Sequence, residues 1–243
     1  MKTGLAVYAF QNGRLAYNMG QIEKAMRAAQ GKVDLLCFGE AFLQGFDCLC
    51  WQYEKDRNVA LAQQDTAIAQ LCSWTRQYGI DLLLGYIERE GERLYSSCIV
   101  LAAGRILHNY RRISQGWKEF SRTDAHYAEG ETVRAFEYRG QSLMIALCGD
   151  LWDMPQRFQT EGLLIWPVYV NFSRDEWKRY ADEYAAQAAL AAEHALMVNS
   201  LSDDPPAHGG AYAFCRGQIC SRLPLDQAGI LVVDTDGGAG CIL

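Results

Sequence analysis

The sequence has no long uncharged apolar run, no excess of positive charge and few histidines. Each shortage excludes something. No stretch reaches the roughly 18 uninterrupted apolar residues of a membrane-spanning helix, so no membrane segment is expected. The N-terminal MKTGLAVYAFQNG lacks a basic start followed by a long apolar core, so no secretory leader is expected. Lys and Arg total 23 against 29 Asp and Glu, for a net charge of −6, and no basic run is interleaved with aromatics. The electrostatic footprint of nucleic-acid binding is therefore missing. The nine cysteines are odd in number and most lie within apolar runs, which points to a reducing compartment, the cytoplasm, with most thiols buried as small hydrophobes. No C-x-x-C redox pair occurs. Cys48 and Cys50 have no second pair at zinc-site spacing, so no metal site is expected.

What is present suits one large α/β domain over residues 1–243. Half the residues are apolar and 21% are charged, and no repeat, linker or low-complexity segment interrupts them. Apolar runs predict buried strands at 3–10, 33–38, 80–88, 94–102, 105–112, 142–147, 163–170 and 229–234. Helical spacing predicts helices over 18–30, 57–78 and 175–196, the second closed by Gly79. Residues 114–131 read as irregular and 202–210 as a Pro/Gly loop. Helices alternate with strands, but hairpins also occur, so mixed sheets with helices outside are expected.

Three segments at strand ends carry chemistry. In LLCFGEAFLQGF, Glu40 follows an apolar strand directly, at the rim of a sheet where α/β proteins place ligand sites. In MIALCGDLWD, Cys148 ends a strand beside Gly149, where a tight turn would expose its sulfur and a helix start would favour the thiolate. In GRILHNYRRIS followed by GWKE, several cations and a carboxylate lie just past a strand, where a cation could stabilise an oxyanion.

In this order the three segments resemble the nitrilase superfamily of carbon–nitrogen hydrolases. FGEAFLQGF is similar to its first motif, with Gly39 where the family has proline. ALCGDLWDMP is similar to its cysteine motif, with Gly149 at an aromatic position and Trp152 at an arginine position. LLIWPVYV and ALAAEHALMVNS match further segments. The resemblance implies a four-layer αββα sandwich, two mixed β-sheets with helices outside. It implies Glu40 as general base, Cys148 as nucleophile, and hydrolysis of a non-peptide amide or carbamoyl bond through a thioester. No metal or organic cofactor would be involved, and the partners would be a small-molecule substrate and further copies of the chain, in a homodimer or larger homo-oligomer.

The family's lysine falls in a Tyr-Arg-Lys-x-His pattern, and here the residues are Tyr110-Arg111-Arg112-Ile113-Ser114. Three readings stay open. Lys118, six residues on, takes the role and is favoured. Arg112 takes it as a guanidinium, which is larger, planar and keeps its proton. Or the chain is a catalytically silent binding or scaffold protein. The family's second acid would be Glu119, Asp124 or Glu129. Substrate contacts are expected from Glu119, Asp124, Gly149, Trp152 and Tyr169. A cysteine hydrolase of another fold, using one of the four histidines, is the weakest alternative.

Overall fold

The computed structural model describes residues 1–235 and 240–243. In chain order the elements are β1 (Lys2–Val7), α1 (Leu15–Ala29), β2 (Leu35–Cys37), α2 (Tyr53–Asp56), α3 (Thr66–Tyr78), β3 (Asp81–Glu90), β4 (Arg93–Ala102) and β5 (Arg105–Arg111). Then come β6 (Phe136–Tyr138), β7 (Gln141–Ile145), α4 (Asp150–Asp153), β8 (Thr160–Val168), α5 (Arg174–Ala189), β9 (Ala192–Asp203), β10 (Pro206–Cys215), β11 (Gln218–Leu223), β12 (Gly229–Asp234) and β13 (Cys241–Ile242). No described helix is long and apolar enough to cross a membrane.

The strands form two mixed sheets, ordered β13-β12-β1-β2-β3-β4-β5 and β11-β10-β9-β8-β7-β6. Alternation along each strand explains the layering. Leu5, Val7, Leu35, Cys37, Leu83, Cys98 and Val100 face the second sheet and share a core with Leu143, Ile145 and Leu164. Their neighbours Ala6, Leu36, Phe38, Leu82, Leu84, Ile99 and Leu101 face the other way, onto Ile22, Met26, Ile68 and Leu71 of α1 and α3. Trp177, Ala181, Tyr184, Ala185 and Ala188 of α5 close the second sheet from outside. Helix, sheet, sheet and helix make the expected four-layer αββα sandwich. Strands buried on both faces read as unbroken apolar runs, which is how they looked in the sequence.

Three boundaries differ from expectation. The helix predicted over 57–78 begins at Thr66, because Asp65 folds back to accept the Ala62 N–H at 2.8 Å and sets the turn there. The helix predicted over 175–196 stops at Ala189. The alanine-rich continuation has helical propensity, yet it enters the sheet as β9, pairing with β8 on one side and β10 on the other. The loop predicted over 202–210 is instead the tip and start of the β9–β10 hairpin. The alanine-rich face of α5 packs inside its own subunit.

Strands β2 and β3 are parallel, and β7, β8 and β9 run parallel in the other sheet. The C-terminal ends of β2 and β7 therefore carry Glu40 and Cys148 to the same edge of the sandwich, where the Glu40 N–H reaches the Val168 carbonyl at 3.2 Å. The loop bearing Glu40 lies across Gly85 of β3, where a Cβ would come within 2.4 Å of Ala41 N and 2.6 Å of Gly39 O. Backbone cannot yield as a side-chain tip can. Gly85→Ala should therefore cost about 3 kcal/mol or prevent folding, read as a lowered urea midpoint.

Candidate active site

Glu40 is fully buried. Its Oε1 accepts the Ser96 hydroxyl at 2.8 Å and Arg112 Nη1 at 2.9 Å, while Oε2 has no hydrogen-bond partner among the described residues. At residue 39 the loop runs close against the second sheet. A Cβ at Gly39 would lie 2.5 Å from Ser200 Oγ and 2.9 Å from Val168 O.

Arg112 continues the line of β5, its N–H bonded to Ser96 O at 2.9 Å, and is 3% exposed. Its Nε donates to Ser114 Oγ at 2.7 Å. Burial works against the charged guanidinium, but the charges of Glu40, Cys148 and Asp150 outweigh it and push its pKa up.

Cys148 closes β7 on a sharp turn. Its φ of +40° is left-handed, which for a residue with a side chain costs on the order of 1–3 kcal/mol and is held only by firm surroundings. Those surroundings are visible. The Cys148 N–H bonds Pro167 O at 3.0 Å, its carbonyl accepts Trp166 Nε1 at 2.9 Å, and Sγ lies 3.8 Å from Tyr169 O. Burial, then the negative charge of Glu40, push the thiol up to about 12, against the pull of Arg112. At neutral pH the resting group is a thiol, not a thiolate.

Asp150 ties these parts together. It is fully buried and accepts Leu147 N at 2.9 Å, Ser114 N at 2.8 Å, Ile113 N at 3.1 Å and the Tyr110 hydroxyl at 2.5 Å. Neither Asp150 nor Ser96 was singled out from the sequence for such a role. Asp150 sits two residues after the cysteine, so its place in the motif was the available signal. Ser96 lies in the middle of an apolar strand, where only the hairpin register brings it opposite Arg112.

The other expected residues divide sharply. Lys118, favoured over Arg112 from the sequence, is not the cation on Glu40. It is nine-tenths buried, but its Nζ donates to Tyr127 O and pairs with Glu129 at 2.6 Å. Six residues beyond Arg112 the chain has already turned into the irregular segment, and Glu129 neutralises the lysine there. Of the three candidate second acids, Glu129 alone holds a buried cation. Glu119 and Asp124 are exposed and bond within their own loop, to Ser121 and to His126. Gly149 lies directly beneath Arg112, with Nη2 2.5 Å from where its Cβ would be. Trp152 is 41% exposed and packs edge-on against Tyr184, with ring centroids 5.0 Å apart. Tyr169 turns its carbonyl toward Cys148 while its ring stacks on Phe46 at 4.8 Å.

Residues 5–152 match the Carbon-nitrogen hydrolase family, more than half of the chain. The chain belongs to that family. Relatives and solved structures agree. An (R)-stereoselective amidase from Pseudomonas sp. is 27% identical over 156 residues, 64% of this chain and 54% of its own. The chain thus spans about half the length of that curated relative. An amidase from Nesterenkonia sp. superposes with a TM-score of 0.78 at 21% identity, covering 96% of this chain and 89% of the other. A CN-hydrolase superfamily protein from Xanthomonas campestris does so with a TM-score of 0.77 at 15% identity, again covering 96% and 89%. At these identities the two structures establish the shared fold.

The charges around Cys148 give a test of this candidate site that needs no substrate. The carboxylate beside the thiol opposes the thiolate, so Glu40→Gln lowers the Cys148 pKa and speeds its reaction with iodoacetamide. The expected gain is about tenfold at pH 8, read by mass spectrometry of the Cys148 peptide. An unchanged rate would show that Glu40 does not act on this sulfur.

Proposed function

We propose that the protein hydrolyses a non-peptide amide or carbamoyl C–N bond of a small molecule, with Glu40, Arg112 and Cys148 as the working set. The observation that carries this is the buried Glu40–Arg112 pair held against a nucleophile on a strained turn, with one Glu40 oxygen left without a partner. That free oxygen, Oε2, takes the thiol proton as Sγ attacks the carbonyl carbon. The pair of electrons from the C=O bond moves to oxygen, and the guanidinium together with the Gly149 N–H stabilises the oxyanion. The tetrahedral intermediate collapses, the C–N bond breaks, and Glu40 returns its proton to the departing nitrogen. A thioester on Cys148 remains. Water, giving its proton to Glu40, attacks the thioester, and the acid leaves as the thiolate recovers that proton. A thiol that rests protonated suits this cycle, since the base acts when substrate is bound and not before.

The curated relative and the Nesterenkonia neighbour are amidases, which favours amides over other C–N substrates. A silent binding protein is the second reading, motivated by arginine at the lysine position. The intact pairing of Arg112 with Glu40 speaks against it. Self-association into a homodimer or larger homo-oligomer is proposed on the same family grounds, and the cytoplasm as location on the free cysteines.

An ammonia-release screen over small amides, carbamoyl compounds and ω-amides tests the function. Wild type should turn over at least one class. Cys148→Ala and Glu40→Gln should lose the activity and keep the fold by circular dichroism, and Arg112→Ala should lose about 10²–10³-fold in kcat as for a deleted oxyanion donor. Lys118→Ala should retain turnover. Activity surviving in Cys148→Ala, or abolished by Lys118→Ala and not by Arg112→Ala, would overturn the assignment.

A further inference from the structure

Besides Trp152 at an arginine position, three positions depart from the family's lysine and cysteine motifs: Arg112 for lysine, Ser114 for histidine and Gly149 for an aromatic. In the folded chain they touch one another. Arg112 Nε donates to Ser114 Oγ at 2.7 Å, and a Cβ on Gly149 would stand 2.5 Å from Arg112 Nη2 and 3.2 Å from Ser114 Oγ.

Nothing in the backbone asks for glycine at 149. Its φ of −62° and ψ of −14° are ordinary right-handed values that any residue adopts. Glycine's conformational freedom is therefore unused and only its missing side chain matters. What fills that space is the second terminal nitrogen of a guanidinium, an atom a lysine does not have. The guanidinium can step aside only by giving up its bonds. It is planar, so the bonds Nη1–Glu40 and Nε–Ser114 together fix its whole plane. With those two bonds made, Nη2 forms none among the described residues and lies over Gly149, whose N–H follows the nucleophile.

We infer that Ser114 and Gly149 are positioning residues for Arg112, and that the three form a single unit which presents a guanidinium, with Nη2 beside the Gly149 N–H, where the family presents an ammonium. The inference rests on the reading of this site as a hydrolase for its consequence, but its geometry does not. Ser114 sets the plane by accepting from Nε. Gly149 gives the space into which Nη2 projects. The developing oxyanion then meets two adjacent donors, one of which keeps its charge at every pH at which the protein is folded.

The test uses the full chain and two readouts, Cys148 alkylation by iodoacetamide and ammonia release from the best amide of the screen. In Gly149→Ala the new methyl displaces the guanidinium. Alkylation at pH 8 should slow by about tenfold as the cation leaves the thiolate, and kcat should fall on the order of 10²-fold with KM little changed. Combining Gly149→Ala with Arg112→Lys removes Nη2 and should restore the parent alkylation rate and most of kcat. Ser114→Ala should move both readouts in the same direction by less, and Ser114→Thr, which keeps the hydroxyl, should match wild type. Parent behaviour in Gly149→Ala, or a double variant no better than Gly149→Ala alone, would overturn the inference. If Gly149→Ala fails to fold, a folded double variant supports it and an unfolded one overturns it. Ammonia release from no substrate, with the alkylation pattern intact, would remove the hydrolase reading and leave the three-residue unit standing.

Discussion

The ion pair between Glu40 and Arg112 governs how the site is built. Both groups are withdrawn from water, Glu40 wholly and Arg112 to 3% exposure. Such burial costs several kcal/mol per ion, and a pair recovers it only with good geometry and further hydrogen bonds. The surrounding residues supply those. Ser96 donates to the carboxylate and Ser114 accepts from the guanidinium. Three glycines then make the approach possible. Gly39 and Gly85 let the Glu40 loop pass between Val168, Ser200 and β3, and Gly149 leaves space for the guanidinium. A pair with so many conditions is poor insurance for stability, and its presence is better understood as the arrangement that a base and a cation need beside a thiol.

The nucleophile follows a complementary logic. Cys148 holds a left-handed conformation that it would not adopt alone, and its neighbours fix both sides of its peptide unit. Strain at one residue is tolerable because β7 and β8 pair in parallel and are buried over residues 143–145 and 163–168. The two sheets thus contribute different things. The first brings the buried carboxylate and guanidinium, the second brings the sulfur, and the candidate site sits where their edges meet.

Much of this was readable in the sequence. The apolar runs gave the strands, and the residue directly after each run gave Glu40 and Cys148, because a strand end is a fixed place in an α/β fold. The helix ends were less legible. The stretch 192–196 has the composition of a helix and became a strand, since pairing with β8 and β10 outweighs a propensity worth tenths of a kcal/mol per residue. The place of Lys118 was not legible for a related reason. Lys118 is the more familiar residue type, but a lysine six positions on is free to find its own carboxylate, and it found Glu129. Arg112 has no such freedom, because the β4–β5 register places it opposite Ser96 and hence against Glu40. Contacts such as Ser96–Glu40, 56 residues apart, leave no local trace in a sequence.

Asp150 holds the cation's loop by the N–H groups of Ile113 and Ser114, and the nucleophile's turn by that of Leu147. Amide hydrogens are common to every residue but proline. The mooring therefore does not depend on which side chains the moored segment carries. A lineage can exchange the side chains at 112 and 114 without moving the loop relative to the sulfur. The chemical identity of the cation is thus separable from its address, and a departure from the usual residue at that place is a poor guide to whether the machinery has been lost.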